Sequence, residues 1–320
     1  MNIKSTIKRL KPGTVQEMGI LIALVVLCAF FTIASGGKFA RVDNAMTVLR
    51  QVSMATIVAA GMTFIMITAN IDLAVGSYLA LTGVMLAKLL NVGCPWYVAI
   101  AVTMLAMALI NAIVGTAISK QKLQSLIITL AMMAAARGFA LSWTDGQPVY
   151  YDNNFIYELA SGYVWIFPIP VIVMVFVLAI TQFVLKKTRF GRYVHAVGGN
   201  QEAAITSGIN VDRVKIGVFA ISGALTGLAG CIMAGRLMSG SPIAGQGFEL
   251  DVIAGVVIGG TSLKGGYGGM VGTLLGVVTV GVIANGLTIL GVEYYYQLMA
   301  KGAIIYLAMV IDSGTRKVKR

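Results

Sequence analysis

Apolar runs of roughly membrane-crossing length recur from one end of this chain to the other. That recurrence limits its fold more than any other feature. The runs cover residues 19–34, 54–69, 73–90, 96–118, 126–143, 164–185, 216–234, 252–263, 270–290 and 298–311. A helix needs roughly 20 apolar residues to cross about 30 Å of hydrocarbon. None of the runs alternates with period two as a half-buried strand would, so they read as helices. The sequence predicts an all-α, polytopic helical membrane protein with about ten transmembrane segments, short or broken helices among them. The run 252–263 is short and interrupted by glycine, the pattern of a half-span. With 58% hydrophobic and 11% charged residues, against about 25% charged in soluble domains, no separate globular domain fits. The expected division is a basic tail at 1–19, a transmembrane domain at 20–312 with a polar loop at 186–215, and a basic tail at 313–320.

The charges orient these segments. Lysine and arginine number 24 against 12 acidic residues, giving +12. The basic residues fall between apolar runs and not on one polar face, which favours the positive-inside rule over nucleic-acid binding. Lys4, Lys8, Arg9 and Lys11 precede the first run. A signal peptide has that form, but cleavage would spoil the alternation of the later loops, so the run reads as an uncleaved first span. Lys120 and Lys122, the loop 186–215 with six basic residues, and Arg316, Lys317, Lys319 and Arg320 then share one side. The loop 144–163 carries Asp145, Asp152 and Glu158 with no basic residue and lies on the other. Both termini are therefore expected in the cytoplasm.

No catalytic apparatus is legible. His195 is the single histidine and sits in the loop 186–215. Cys28, Cys94 and Cys231 lie in or beside apolar runs without metal spacing and read as small buried hydrophobes. The stretch from Gly259 to Gly265 lacks the Gly-Lys-Ser/Thr of a phosphate loop. Any ATP-driven work would need a separate ATPase chain.

Within the loop 186–215, Asn200 suits a helix N-cap, Glu202 suits the positive first turn, and Gly208 suits the stop. A helix of about two turns is marginal alone in water. It either docks in a groove on a partner or remains a solvated loop helix.

Here the residues resemble a known family. Glu202-Ala203-Ala204 followed by Gly208 is similar to the EAA-type motif of ABC importer permeases. Around it, Thr188-Arg189-Phe190-Gly191-Arg192, Gly198-Gly199-Asn200, Ser207-Gly208-Ile209-Asn210, Gly61-Met62-Thr63, Ile71-Asp72-Leu73-Ala74-Val75-Gly76-Ser77, Glu249-Leu250-Asp251, Gly259-Gly260-Thr261-Ser262-Leu263 and Asn285-Gly286-Leu287 resemble the ribose-type branch of bacterial ABC sugar permeases. The resemblance implies a subunit of the bacterial cytoplasmic (inner) membrane that translocates a monosaccharide by alternating access. It implies a coupling helix to the ATPase subunit made of Gly199, Asn200, Gln201, Glu202, Ala203, Ala204 and Gly208. It also implies a second permease subunit, as a homodimer, an extracytoplasmic sugar-binding protein, and ATP and Mg on the ATPase with no cofactor in this chain.

Asn70, Asp72, Asp251 and Asn285 are candidates for the translocation path, because polar groups within spans tend to face protein or water. Helix capping is the alternative for Asn70, Asp72 and Asp251. Asn70 stands where the family commonly has glycine. Arg137, Arg236 and Lys301 read as snorkelling to the membrane interface, with a place on the polar path as the alternative. The glycines at 255, 259, 260, 265, 266, 268 and 269 read as close-packing positions or hinges. The rival reading is a stand-alone secondary transporter of a small polar solute, for which Asp72 and Asp251 are the available carboxylate pair. An intramembrane enzyme is a further rival, disfavoured by the lack of a membrane histidine.

Overall fold

The computed structural model describes residues 12–293, 295–303 and 306. The tail expectations for residues 1–11 and 313–320, and the end of the run 298–311, lie outside the described residues. The chain runs through α1 (Pro12–Ala34), α2 (Val42–Ile67), α3 (Val75–Asn91), α4 (Trp96–Lys120), α5 (Ser125–Trp143), α6 (Asn154–Ser161) and α7 (Ile169–Lys187). It continues through α8 (Arg189–Gly199), α9 (Gln201–Thr206), α10 (Val211–Leu237), α11 (Phe248–Ile258) and α12 (Met270–Ile289), and residues 295–303 are helical as well. Seven of these helices, α1, α2, α4, α5, α7, α10 and α12, are long and apolar enough to cross a membrane. The polytopic helical reading holds, with one small departure. Four two-residue strands form two antiparallel pairs, β1 (Val149–Tyr150) with β4 (Ser239–Gly240), and β2 (Tyr163–Val164) with β3 (Phe167–Pro168).

Burial separates central helices from peripheral ones. In α2, every residue from Val52 to Ile67 except Ala55 is buried. A helix apolar on all sides belongs in such a centre. By contrast, Ile22, Val25, Val26 and Ile33 of α1 are exposed, as suits a lipid-facing helix. The long α10 packs against α4, α3 and α2 through small residues. A Cβ on Gly227 would lie 2.9 Å from Met104 Cα, and one on Gly230 would lie 2.6 Å from Thr82 Cβ. On α2, a Cβ on Gly61 would lie 2.7 Å from Ser222 Cα. Lipid supplies no hydrophobic drive between helices, so this close approach replaces it with dispersion contact. Thr63 and Thr273 share a hydroxyl hydrogen bond of 2.7 Å that ties α2 to α12.

Several expected boundaries move. The run 54–69 marks only the apolar part of α2, which begins at Val42; Asp43, Asn44, Arg50 and Gln51 lower the hydropathy without breaking the helix. The run 164–185 opens on a hairpin, and α7 starts only at Ile169, with Pro170 in its first turn. The run 252–263 becomes α11, eleven residues long, followed by a glycine turn at Gly259 and Gly260. The acidic loop 144–163 holds a helix not foreseen, α6, capped by Asn153 Oδ1, which accepts from Ile156 N at 3.1 Å. In the loop 186–215, α8 was likewise missed; Thr188 caps it by accepting from Gly191 N at 3.2 Å.

Candidate functional site

Two interruptions of the membrane helices bring polar side chains and free backbone groups into the protein interior. The first is the non-helical stretch 68–74 between α2 and α3. Thr68 Oγ1 donates to Ile65 O at 2.7 Å, and Ala69 takes a left-handed backbone with φ +59°. Asn70 Nδ2 donates to Thr68 O at 2.8 Å and to Thr68 Oγ1 at 3.1 Å. Asn70 therefore wraps the end of α2 and does not cap α3, whose N-cap is Ala74. Asp72 is fully buried. Its Oδ1 accepts from Ala74 N at 2.9 Å and its Oδ2 accepts from Asn111 Nδ2 at 2.9 Å. Tyr78 Oη approaches Asn111 Oδ1 at 3.4 Å. Both carboxylate oxygens are thus used inside the protein.

The second interruption is the stretch 238–247 before α11. Met238 ends α10 with φ +51°. The returning chain lies in the glycine groove of α3. A Cβ on Gly76 would collide with the Gly245 carbonyl and with Glu249 Oε2, and one on Gly245 would lie 2.8 Å from Gly76 O. Arg137 of α5 fastens this stretch. Its Nη1 donates to Pro242 O at 2.7 Å and to Ala244 O at 2.8 Å. Arg137 is a clamp on a loop and not a snorkelling residue. Lys301 is likewise paired: its Nζ donates to Asp251 Oδ2 at 2.9 Å. Arg236 is exposed.

The four path candidates do not form one constellation. Asn70 and Asp72 sit at the first interruption. Asp251 and Asn285 lie on α11 and α12. Asn285 Nδ2 donates to Asn44 Oδ1 at 2.9 Å. Asp251 lines a cavity between α2, α11 and α12, together with Gln51, Phe248, Val277 and Gly281. Asp251 Oδ1 and Asn285 Oδ1 are buried with no hydrogen-bond partner among the described residues. Sequence reasoning missed Asn111, Tyr78 and Gln51 as site-forming groups, and it favoured snorkelling for Arg137. Asn111 carried a usable signal, being an amide inside the apolar run 96–118.

Of the segment expected to be a coupling helix, Gly199 ends α8 instead, and α9 spans only Gln201–Thr206, six residues where about two turns were expected. Asn200 Oδ1 accepts from Ala203 N at 3.0 Å. Gly208, with φ +80°, donates its N–H to Ile205 O at 2.9 Å, and Ile209 N donates to Ala204 O at 3.0 Å. These bonds close α9 at both ends. Gln201, Glu202, Ala203 and Ile205 are exposed, whereas Ala204 is buried. Only Ala203 of the alanine pair is free to face a partner.

A family described as "Branched-chain amino acid transport system / permease component" matches residues 44–309, which include both interruptions and α9. The chain belongs to that permease family. Its ribose import permease relative in Haemophilus influenzae is 42% identical over 308 residues, covering 94% of this chain and 95% of the relative. The ribose import permease of Bacillus subtilis is 41% identical, with 94% of each chain covered. The xylose transport system permease of Escherichia coli is 32% identical, covering 96% of this chain and 94% of the relative. No solved structure matches the chain. The resemblance read from the ordered motifs is borne out. The permease is a membrane transport subunit and not an enzyme.

Proposed function

We propose that this permease is the membrane subunit of an ATP-binding-cassette importer for a monosaccharide, ribose-like or a related sugar. The carrying observation is the near full-length identity of 41–42% to ribose import permeases. The exposed, doubly capped α9 supports an external motor. In this reading α9 docks on a separate ATPase subunit, which holds ATP and Mg, and an extracytoplasmic binding protein delivers the sugar. Two copies of the permease enclose the path. Ten membrane segments, with both termini cytoplasmic, place the loop 186–215 beside the ATPase and α6 on the outer face. The path runs along the cavity at Gln51, Phe248 and Asp251, while Asn70 and Asp72 shape the first interruption. Asp251 is neutralised by Lys301, which disfavours it as an ion-coupling carboxylate of a secondary transporter.

The test is reconstitution in liposomes with the ATPase and the binding protein. Uptake of labelled ribose should require internal ATP and the binding protein, and should survive collapse of proton and sodium gradients. Uptake by the permease alone, driven by an ion gradient, would refute the proposal. Cysteine labelling of Asp152→Cys only from inside would refute the topology.

A further inference from the structure

We propose that His195 is a positioning residue for transport. It ties α8 and α9 to the end of α2 at the first interruption and to the loop between α11 and α12 through one glycine-packed junction. The inference rests on the reading of α9 as the ATPase-docking element.

The junction joins three segments. The first is α8 with α9. Asn200 ends α8 by donating its N–H to Ala196 O at 3.1 Å, and its side chain starts α9. One residue therefore serves both helices, with no linker between them to absorb a displacement. Val194 and Val197 bury the inner face of α8. The second segment is the end of α2, where the Ile67 carbonyl has no further turn of helix to bond it. The third is the loop between α11 and α12. Gly266 N donates to Ile67 O at 2.8 Å. His195 Nδ1 lies 3.2 Å from Gly266 O. A carbonyl oxygen only accepts, so Nδ1 carries the proton in this contact.

No side chain fits between these segments. A Cβ on Gly198 would overlap the Ile67 carbonyl. A Cβ on Gly265 would lie 2.8 Å from Gly198 O and 2.9 Å from Ala69 N, and one on Gly266 would lie 3.0 Å from Gly199 Cα. Gly265 and Gly266 also hold φ at +83° and +78°, where a larger residue is strained. Backbone in contact with backbone transmits a push with little slack. From Ile67 the chain passes directly into 68–74 and α3; from Gly266 it passes into α12 and back to α11. A movement of α9 is therefore delivered both to the first interruption and to the loop that joins α11 to α12. Packing alone transmits compression, and the His195 bond adds resistance to separation when α9 is pulled.

His195→Ala, His195→Gln and His195→Asn in the full reconstituted complex test this. Asparagine places its amide nitrogen one bond from Cγ, as Nδ1 is, whereas glutamine places it one bond farther. Three quantities are measured: ATPase copurification, ATP hydrolysis stimulated by sugar-loaded binding protein, and sugar taken up per ATP. The expected result is unchanged copurification in all three variants. Uptake per ATP should fall roughly fivefold in the alanine and glutamine variants, the effect of one hydrogen bond worth about 1 kcal/mol, and return to within about twofold of the parent with asparagine. Unchanged uptake per ATP in His195→Ala would overturn the proposal, as would an equal loss in His195→Asn. The docking reading is tested separately by Glu202→Lys. Normal copurification and uptake in that variant would remove α9 as the docking element, whatever the histidine variants do.

Discussion

Lys301 Nζ lies 2.9 Å from Asp251 Oδ2, so the helical segment 295–303 is fastened to the first turn of α11 by an ion pair. The two side chains retain 21% and 24% of their exposure. The pair is too sheltered to behave as a surface salt bridge and too open to pay the full desolvation cost of a buried one. Lys301→Met should lower stability by about 1.5–3 kcal/mol, the range for hydrogen bonds to charged groups. Asp251→Asn combined with Lys301→Met should cost less than the sum of the single changes, because no charge is left alone. Thermal unfolding of the detergent-purified permease in a double-mutant cycle measures this.

Asp72 is held on both oxygens by Ala74 N and Asn111 Nδ2. Asp72→Ala should strand both donors in a dry interior, at about 1–3 kcal/mol for each. Its first effect is expected on the amount of folded permease in the membrane. Asp72→Asn keeps an acceptor for Ala74 N and should be milder. A path-lining role alone would instead give normal abundance with lost uptake, so membrane abundance measured beside uptake separates the two.

Arg137 spends one guanidinium nitrogen on the carbonyls of Pro242 and Ala244. Arg137→Gln should loosen the stretch 238–247 without unfolding the bundle. Amide exchange in that stretch should rise by about tenfold, equivalent to roughly 1.4 kcal/mol of local protection, while α2 stays protected. Arg137→Lys, which keeps the charge on a more flexible stem, should fall between the two. Equal exchange in all three proteins would mean that the clamp carries no stability.

Ala203 and Ala204 are neighbours with opposite fates, one exposed and one buried. Ala204→Trp should overfill a packed site and cost about 1–3 kcal/mol in the permease itself. Ala203→Trp should leave permease stability unchanged and weaken ATPase capture. Unfolding midpoints paired with ATPase pull-down distinguish the two variants. Loss of capture in Ala204→Trp alone would put the contact surface on the wrong face of α9.

Much of the architecture was legible because membrane helices and helix caps are local properties. An apolar run long enough to cross lipid announces itself whatever its neighbours are, and Asn200, Glu202 and Gly208 shape α9 within a few residues of one another. Hydropathy was blind to helix ends, as the extension of α2 back to Val42 shows, because polar residues such as Asp43 and Arg50 lower the hydropathy without breaking a helix. The polar site was not legible for a different reason. Asp72 meets Asn111 at a separation of 39 residues, Asp251 meets Lys301 at 50, and His195 meets Gly266 at 71. No periodicity or cap links such pairs along the chain. They exist only because small residues let helices and loops approach until side-chain and backbone groups, wholly or partly withdrawn from water, had to find one another.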